Sequence, residues 1–238
     1  LYSKLQPEQN SSVAIWLSFV KEEIKNAISQ KELPIIVGGT GMYISSLMEG
    51  ISLVPEIDPK VRQISTEYFE KNGATNLQKK LISFGEKKLI DRQRLIRAYE
   101  VYLQTGKTIA YFQSQPKEKI LKNAKFIHLN LDIPRDELYE NCNSRFEKML
   151  QQGAISEVKE LRQNIKDVNY AIAKTLGYFE ICQYLDEQIS KDEMINIVSQ
   201  KTRNYAKRQL TWFRNQIPNK KSCNNPSDAI KYLINEIC

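Results

Sequence analysis

Histidine is nearly missing from this chain: His128 is the only one in 238 residues. The four cysteines, Cys142, Cys182, Cys223 and Cys238, form no CxxC pair and join no histidine cluster. Their scatter argues against a zinc site and against catalysis by a Cys–His pair. In a Lys/Glu-rich chain it also fits a reducing cytoplasm. No apolar run approaches the ~20 residues a membrane-spanning helix needs. No signal-peptide pattern, internal repeat or low-complexity tract is recognisable. Neither GxGxxG nor GxxxxGK[ST] occurs. Asp132, Asp136, Glu140 and the remaining carboxylates offer no isolated close pair for acid–base work. Acid is also missing locally: between Lys201 and Lys221 there are seven basic residues and no Asp or Glu.

That basic window is the most informative stretch present. Wound at about 100° per residue, TRNYAKRQLTWFR (residues 202–214) puts Arg203, Lys207, Arg208, Thr211 and Arg214 on one side. Tyr205, Ala206, Leu210, Trp212 and Phe213 fall largely on the other. Such a helix docks by its aromatic face and turns cations towards an anion, with nucleic-acid or nucleotide phosphates the obvious candidates. The net charge of +7 agrees but leaves plain solvation open.

Along the chain, residues 13–28 have helical periodicity, with Val13, Trp16, Leu17, Val20, Ile24 and Ile28 on one face and Ser11 and Ser12 as caps. Pro34-Ile-Ile-Val37 predicts a buried strand, stopped by Gly38-Gly39, and residues 42–48 predict a helix. This order describes an αβ unit of a parallel sheet. Residues 59–68, 76–84 and 88–104 predict helices, with breaks at Gly73, Gly85 and Gly106 and no strand between. Residues 126–131 predict a strand returning to the sheet, with His128 packed in it. Helices follow at 135–152, 154–163, 176–185, 191–215 and 226–236. The expected organisation is an α/β core over 1–54 and 119–238, with a helical insertion over 55–118.

Chemistry could live at three places. Gly38-Gly39-Thr40-Gly41, between strand and helix, lets backbone N–H groups approach a phosphate, and Thr40 adds a hydroxyl. A tight turn without ligand explains it equally well. In Asp91-Arg92-Gln93-Arg94-Leu95-Ile96-Arg97, Gln93 and Arg97 are neighbours on one helix face and could bond base edges or phosphates. A solvated helix face is the simpler reading of that segment. The third place is the basic window itself.

In order, PIIVGGTGMYISSLMEGI, PEIDPKVR, DRQRLIRAYEVYLQTGK, LYENCNSRFEKMLQQG, KTLGYFE and TRNYAKRQLTWFR resemble the tRNA dimethylallyltransferase (tRNA isopentenylpyrophosphate transferase) family. The collinear match covers nearly the whole chain, and VGGTGMY and AKRQLTWFR are its most specific parts. The resemblance implies a P-loop NTPase-like α/β core with an inserted all-helical domain that grips the anticodon arm. It implies transfer of a dimethylallyl group from dimethylallyl diphosphate to N6 of the adenine 3′ of the anticodon, with Mg²⁺ assisting, in a cytoplasmic monomer.

Carried over position by position, the resemblance places Thr40 and Arg62 against tRNA, Thr40 beside the target base. Gln93, Arg94, Leu95, Ile96 and Arg97 match the segment that meets the anticodon arm. Lys174, Gly177 and Tyr178, and then Lys207, Arg208, Gln209, Thr211 and Arg214, match two further tRNA-binding segments. Arg145 falls to the catalytic channel and Arg203 to the diphosphate.

The family's GPTxxGK[ST] P-loop and its DS-containing segment, whose Asp is the general base, have no counterpart in these residues. The chain opens at Leu1 in polar sequence, so roughly half an average domain is expected upstream. These residues alone are expected to lack transfer activity. The alternatives are an isopentenyltransferase acting on free adenylate and an inactive remnant that only binds tRNA.

Overall fold

The computed structural model describes residues 1, 4–164, 171–217 and 221–237. Lys220 and Cys238 lie outside them. The chain divides into two compact units: Leu1–Ser45 with Asn123–Cys238, and Ser46–Lys122.

The first unit opens on α1 (Val13–Ser29), capped by Ser12, whose Oγ accepts from the Ile15 N–H. Leu17, Val20 and Ile24 are its buried stripe, while Ile28 is exposed. Helix α2 (Gly41–Glu49) begins in this unit, with Tyr43 against Trp16 of α1 at 5.2 Å between ring centroids. After Asn123 come β1 (Leu129–Leu131), α6 (Arg135–Gln151), α7 (Ala154–Asn164), a 3-10 turn (Ala171–Lys174), α8 (Tyr178–Leu185), α9 (Lys191–Gln216), β2 (Lys221–Cys223) and α10 (Pro226–Ile237). Phe146, Ala154, Val158, Ile181, Met194 and Val198 form the core shared by α6–α9. Each such side chain withdrawn from water stabilises by roughly 1–3 kcal/mol.

The parallel sheet is small. Among the described residues it has two strands, with Leu129 opposite Lys221 and Leu131 opposite Cys223. Strand β2 escaped the sequence reading because Lys-Ser-Cys has neither alternation nor an apolar run. The strand expected at Pro34–Val37 is not formed. Among the described residues that segment has no ladder partner, and Val37 is 88% exposed. An apolar run becomes a buried strand only where neighbours pair with it, and none of the described residues does.

The second unit is helical, with α3 (Pro59–Ser83), α4 (Arg92–Thr105) and α5 (Ile109–Ser114); of these, α5 was not expected. The helices expected at 59–68 and 76–84 are one element kinked at Gly73, whose φ of 73° and ψ of 172° are conformations a side chain with a β-carbon resists. Leu77, Leu81, Leu95, Ala98 and Tyr99 form its core. Its one strand-like contact is a bridge between Ile51 and Glu118.

Candidate nucleic-acid interface

Helix α9 carries the basic window, and its start is well specified. Ser190 and Glu193 form a reciprocal capping box, and Asp192 and Glu193 oppose the positive end of the helix dipole. The first half is anchored by Met194 and Val198 in the core. The second half turns outward. Lys207, Arg208, Thr211 and Arg214 are exposed, whereas Phe213 is buried. Lys207, Arg208 and Thr211 line an open depression with Asn204, Trp212, Asn215 and Gln216. The Thr211 hydroxyl donates back to the Lys207 carbonyl at 2.9 Å. Tyr205 departs from the expected division of faces: it is 40% exposed, with the Arg208 guanidinium 5.6 Å from its ring centre. Spacing placed it with the docking face, but Arg208 lies three residues further on, one turn away, and its guanidinium approaches the ring.

The Gly-rich turn meets this helix directly. A β-carbon on Gly39 would lie 2.4 Å from Nε2 of Gln209, and one on Gly41 would lie 2.0 Å from Cε3 of Trp212. The Trp212 ring leaves no room for a side chain at Gly41, whereas at Gly39 the neighbour is the end of the Gln209 side chain, which can turn aside. A β-carbon on Gly38 would meet nothing within 4 Å. Packing against α9 thus accounts for Gly41 and brings Gly39 against Gln209, while Gly38 meets open space and Thr40 is exposed. The Thr40 carbonyl accepts from the N–H of Tyr43 at 2.9 Å and opens α2.

Beyond Trp212, Arg214 reaches Asp132 at 4.0 Å, just past the end of β1. Arg203 donates to Asn143 Oδ1 at 2.6 Å, and its guanidinium lies 5.9 Å from the Tyr139 ring centre. Arg135 approaches the same ring at 5.1 Å and donates to the Tyr139 hydroxyl. Burial raises the pKa of the Cys142 thiol, and the nearby Arg145 and Arg203 charges partly oppose that. Arg203 of α9 thus reaches α6 at Asn143, while Arg145 is exposed on α6, one turn beyond Cys142. Lys174 is exposed at the end of the 3-10 turn, Gly177 caps α8, and burial raises the Tyr178 hydroxyl pKa.

In the second unit, Asp91 caps α4, and Gln93 and Arg94 are exposed beside the half-exposed Arg97. Leu95 and Ile96 do not join them. They are 1% and 9% exposed and face the interior, because a contiguous motif on a helix must send some residues inward. Arg62, on the first turn of α3, comes within 3.7 Å of Glu100, whose other oxygen accepts from Arg97 at 3.2 Å. Sequence reasoning missed Glu100, and also the contact of Trp212 with Gly41. Glu100's only signal was an acid inside the apolar run Ala98-Tyr-Glu-Val-Tyr102.

Among the described residues, no three His, Cys, Asp or Glu side chains gather where a metal ion could sit. No described helix is long and apolar enough to cross a membrane.

The IPP transferase family model matches residues 1–216. The tRNA dimethylallyltransferase of Rickettsia conorii is 39% identical over 225 residues, covering 92% of this chain and 62% of that protein. The tRNA dimethylallyltransferase of Wolbachia pipientis wMel is 38% identical, covering 97% of this chain and 80% of that one. Among solved structures, the tRNA isopentenylpyrophosphate transferase of Bacillus halodurans superposes with a TM-score of 0.64 at 26% identity, covering 99% of this chain and 75% of that one. A eukaryotic dimethylallyltransferase acting on tRNA has a TM-score of 0.74 at 20% identity, covering 98% and 63%, and shares the fold. The chain therefore spans less than two thirds of the Rickettsia conorii relative.

Proposed function

Because the chain belongs to the IPP transferase family, which matches 216 of its 238 residues, we propose that it is the tRNA-holding part of a tRNA dimethylallyltransferase. The reaction is attack of the N6 amine of the adenine 3′ of the anticodon on the allylic carbon of dimethylallyl diphosphate. A C–N bond forms, the C–O bond breaks, diphosphate leaves with the electron pair, and the amine gives up a proton. The proton acceptor belongs, on this reading, to a segment with no counterpart among these residues.

The observation that carries the proposal is the seating of Gly39 and Gly41 on Gln209 and Trp212 of the cationic helix. It brings together the two most family-specific stretches, which are far apart in sequence. Thr40 then lies at the edge of the same surface as a hydroxyl beside the flipped base. Lys207, Arg208 and Arg214 neutralise backbone phosphates, and Lys174 and Tyr178 extend that contact. Arg145 on α6, and Arg203, which bonds Asn143 of α6, stabilise charge on the departing diphosphate.

The helical unit, with Arg62, Gln93, Arg94 and Arg97, is assigned to the anticodon arm, as an insertion in a P-loop NTPase-like core. Leu95 and Ile96 only support that face. The described residues supply no metal cage, so Mg²⁺ enters this reading as an ion borne by the diphosphate, and no step is routed through it. The protein is taken as a cytoplasmic monomer. An acceptor as small as free adenylate would leave the arginines of the helical unit without a role.

Binding of an anticodon stem-loop RNA to the whole chain tests this. Affinity should fall as salt rises, and Lys207→Ala/Arg208→Ala should flatten log K against log salt by about 0.7–0.9 per lost phosphate contact. Salt-independent binding, or none at low salt, would overturn it.

A further inference from the structure

We propose that Glu100 is a positioning residue, a buried carboxylate that aims Arg62 and Arg97 at the RNA backbone. The inference rests on the assignment of the helical unit to an anticodon arm.

The side chain of Glu100 is 7% exposed, while those of Arg62 and Arg97 are 63% and 40% exposed. A carboxylate this deep is unfavourable unless paired, so its two oxygens hold the guanidinium groups against it. Oε2 accepts from Arg97 Nη1 at 3.2 Å, and Oε1 lies 3.7 Å from Arg62 Nε. A guanidinium has N–H donors on more than one edge. The edge turned to Glu100 fixes the plane, and the outer edge remains for a phosphate, which arginine can meet with paired bonds.

The mounting is firm. One turn further along α4, Gln104 Oε1 accepts from the Asp58 N–H at 2.8 Å, and its amide donates to the Glu56 carbonyl. Asp58 caps α3, and its carbonyl accepts from the Arg62 N–H at 3.1 Å. Two successive turns of α4 thus tie down the first turn of α3, one through its backbone and the other through Arg62. Side chains from two helices are thereby set as a pair.

Simple charge arithmetic predicts the opposite of this role. An acid near RNA phosphates repels them, so its removal should tighten binding if Glu100 merely neutralises the arginines. Preorganisation predicts weaker binding, because both long side chains must then be ordered on contact.

The test is a cycle in the whole chain, read by the affinity of an anticodon stem-loop RNA at fixed low salt. Glu100→Gln should weaken binding about fivefold in the native background and change it less than about 1.5-fold in Arg62→Gln/Arg97→Gln. Unchanged or tighter binding by Glu100→Gln overturns the inference. So does an equal loss in both backgrounds, which would mark damage to the fold rather than action through the arginines. If Glu100→Gln does not fold, Glu100→Asp, which keeps the charge but shortens the arm, is run through the same cycle and should weaken binding only where both arginines are present. If the native chain binds no stem-loop, the functional reading falls and the inference with it. If the native chain binds while Arg62→Gln/Arg97→Gln binds equally well, only the inference falls.

Discussion

Gly41 has no room for a β-carbon, since one built there would lie 2.0 Å from the Trp212 ring. Gly41→Ala must displace either the turn or the tryptophan, and overpacking of this kind costs about 1–3 kcal/mol. We expect a lower melting temperature and altered tryptophan fluorescence. On a Trp212→Ala background, where the ring is gone, the same substitution should cost little. An unchanged melting temperature in the native background would mean the contact is easily relieved. The need for glycine was legible in the motif, but its cause was not: the sequence suggested a phosphate, whereas Gly39 and Gly41 answer first to neighbours on α9. Glu100 teaches the same point, because nothing local in the sequence pairs it with Arg62, a residue on another helix.

Helix α9 was readable almost to its ends. Its capping box is a local pattern, and the alternation of apolar and basic residues needs no tertiary partner to be seen. Ser190→Ala removes the hydroxyl that accepts from the Glu193 N–H at 3.2 Å and should cost about 1 kcal/mol. Thermal unfolding would show this, and Ser190→Asp should recover most of it, since aspartate caps equally well. Strands fared worse. Pro34–Val37 has the composition of a buried strand yet is unpaired, while Lys221–Cys223 has no strand composition yet pairs with β1. Strand identity depends on a ladder partner that sequence-local reasoning does not contain. The motif segment from Gln93 to Arg97 was carried over whole, and only helix geometry separated the inward Leu95 and Ile96 from the outward cations.

For the whole molecule, the resolved titration shifts of partly buried groups share one direction. Burial raises the Cys142 and Cys182 thiols and the Tyr178 hydroxyl, and a hydrogen bond to Tyr99 raises Lys80. A group whose folded pKa is raised leaves the folded state holding protons that the unfolded chain has already lost. Its stabilising contribution is complete below the unfolded pKa and disappears as pH climbs towards the folded one. The unfolded references are about 8.5 for Cys and about 10 for Tyr and Lys. The melting temperature should therefore decline as pH rises above about 8.5, and Cys142→Ala/Cys182→Ala should remove the earlier part of the decline. A decline unaffected by that double substitution would place its origin elsewhere. The sequence alone determined most of the helices, α5 excepted, the excess of cations on one helix and the family, because periodicity, caps and collinear motifs are local or ordered along the chain. Tertiary structure alone decided that Gly39 and Gly41 seat on Gln209 and Trp212, that Arg203 of α9 bonds Asn143 of α6, and that one buried carboxylate holds Arg62 with Arg97. Each joins residues distant in the chain, and only packing in three dimensions makes them neighbours.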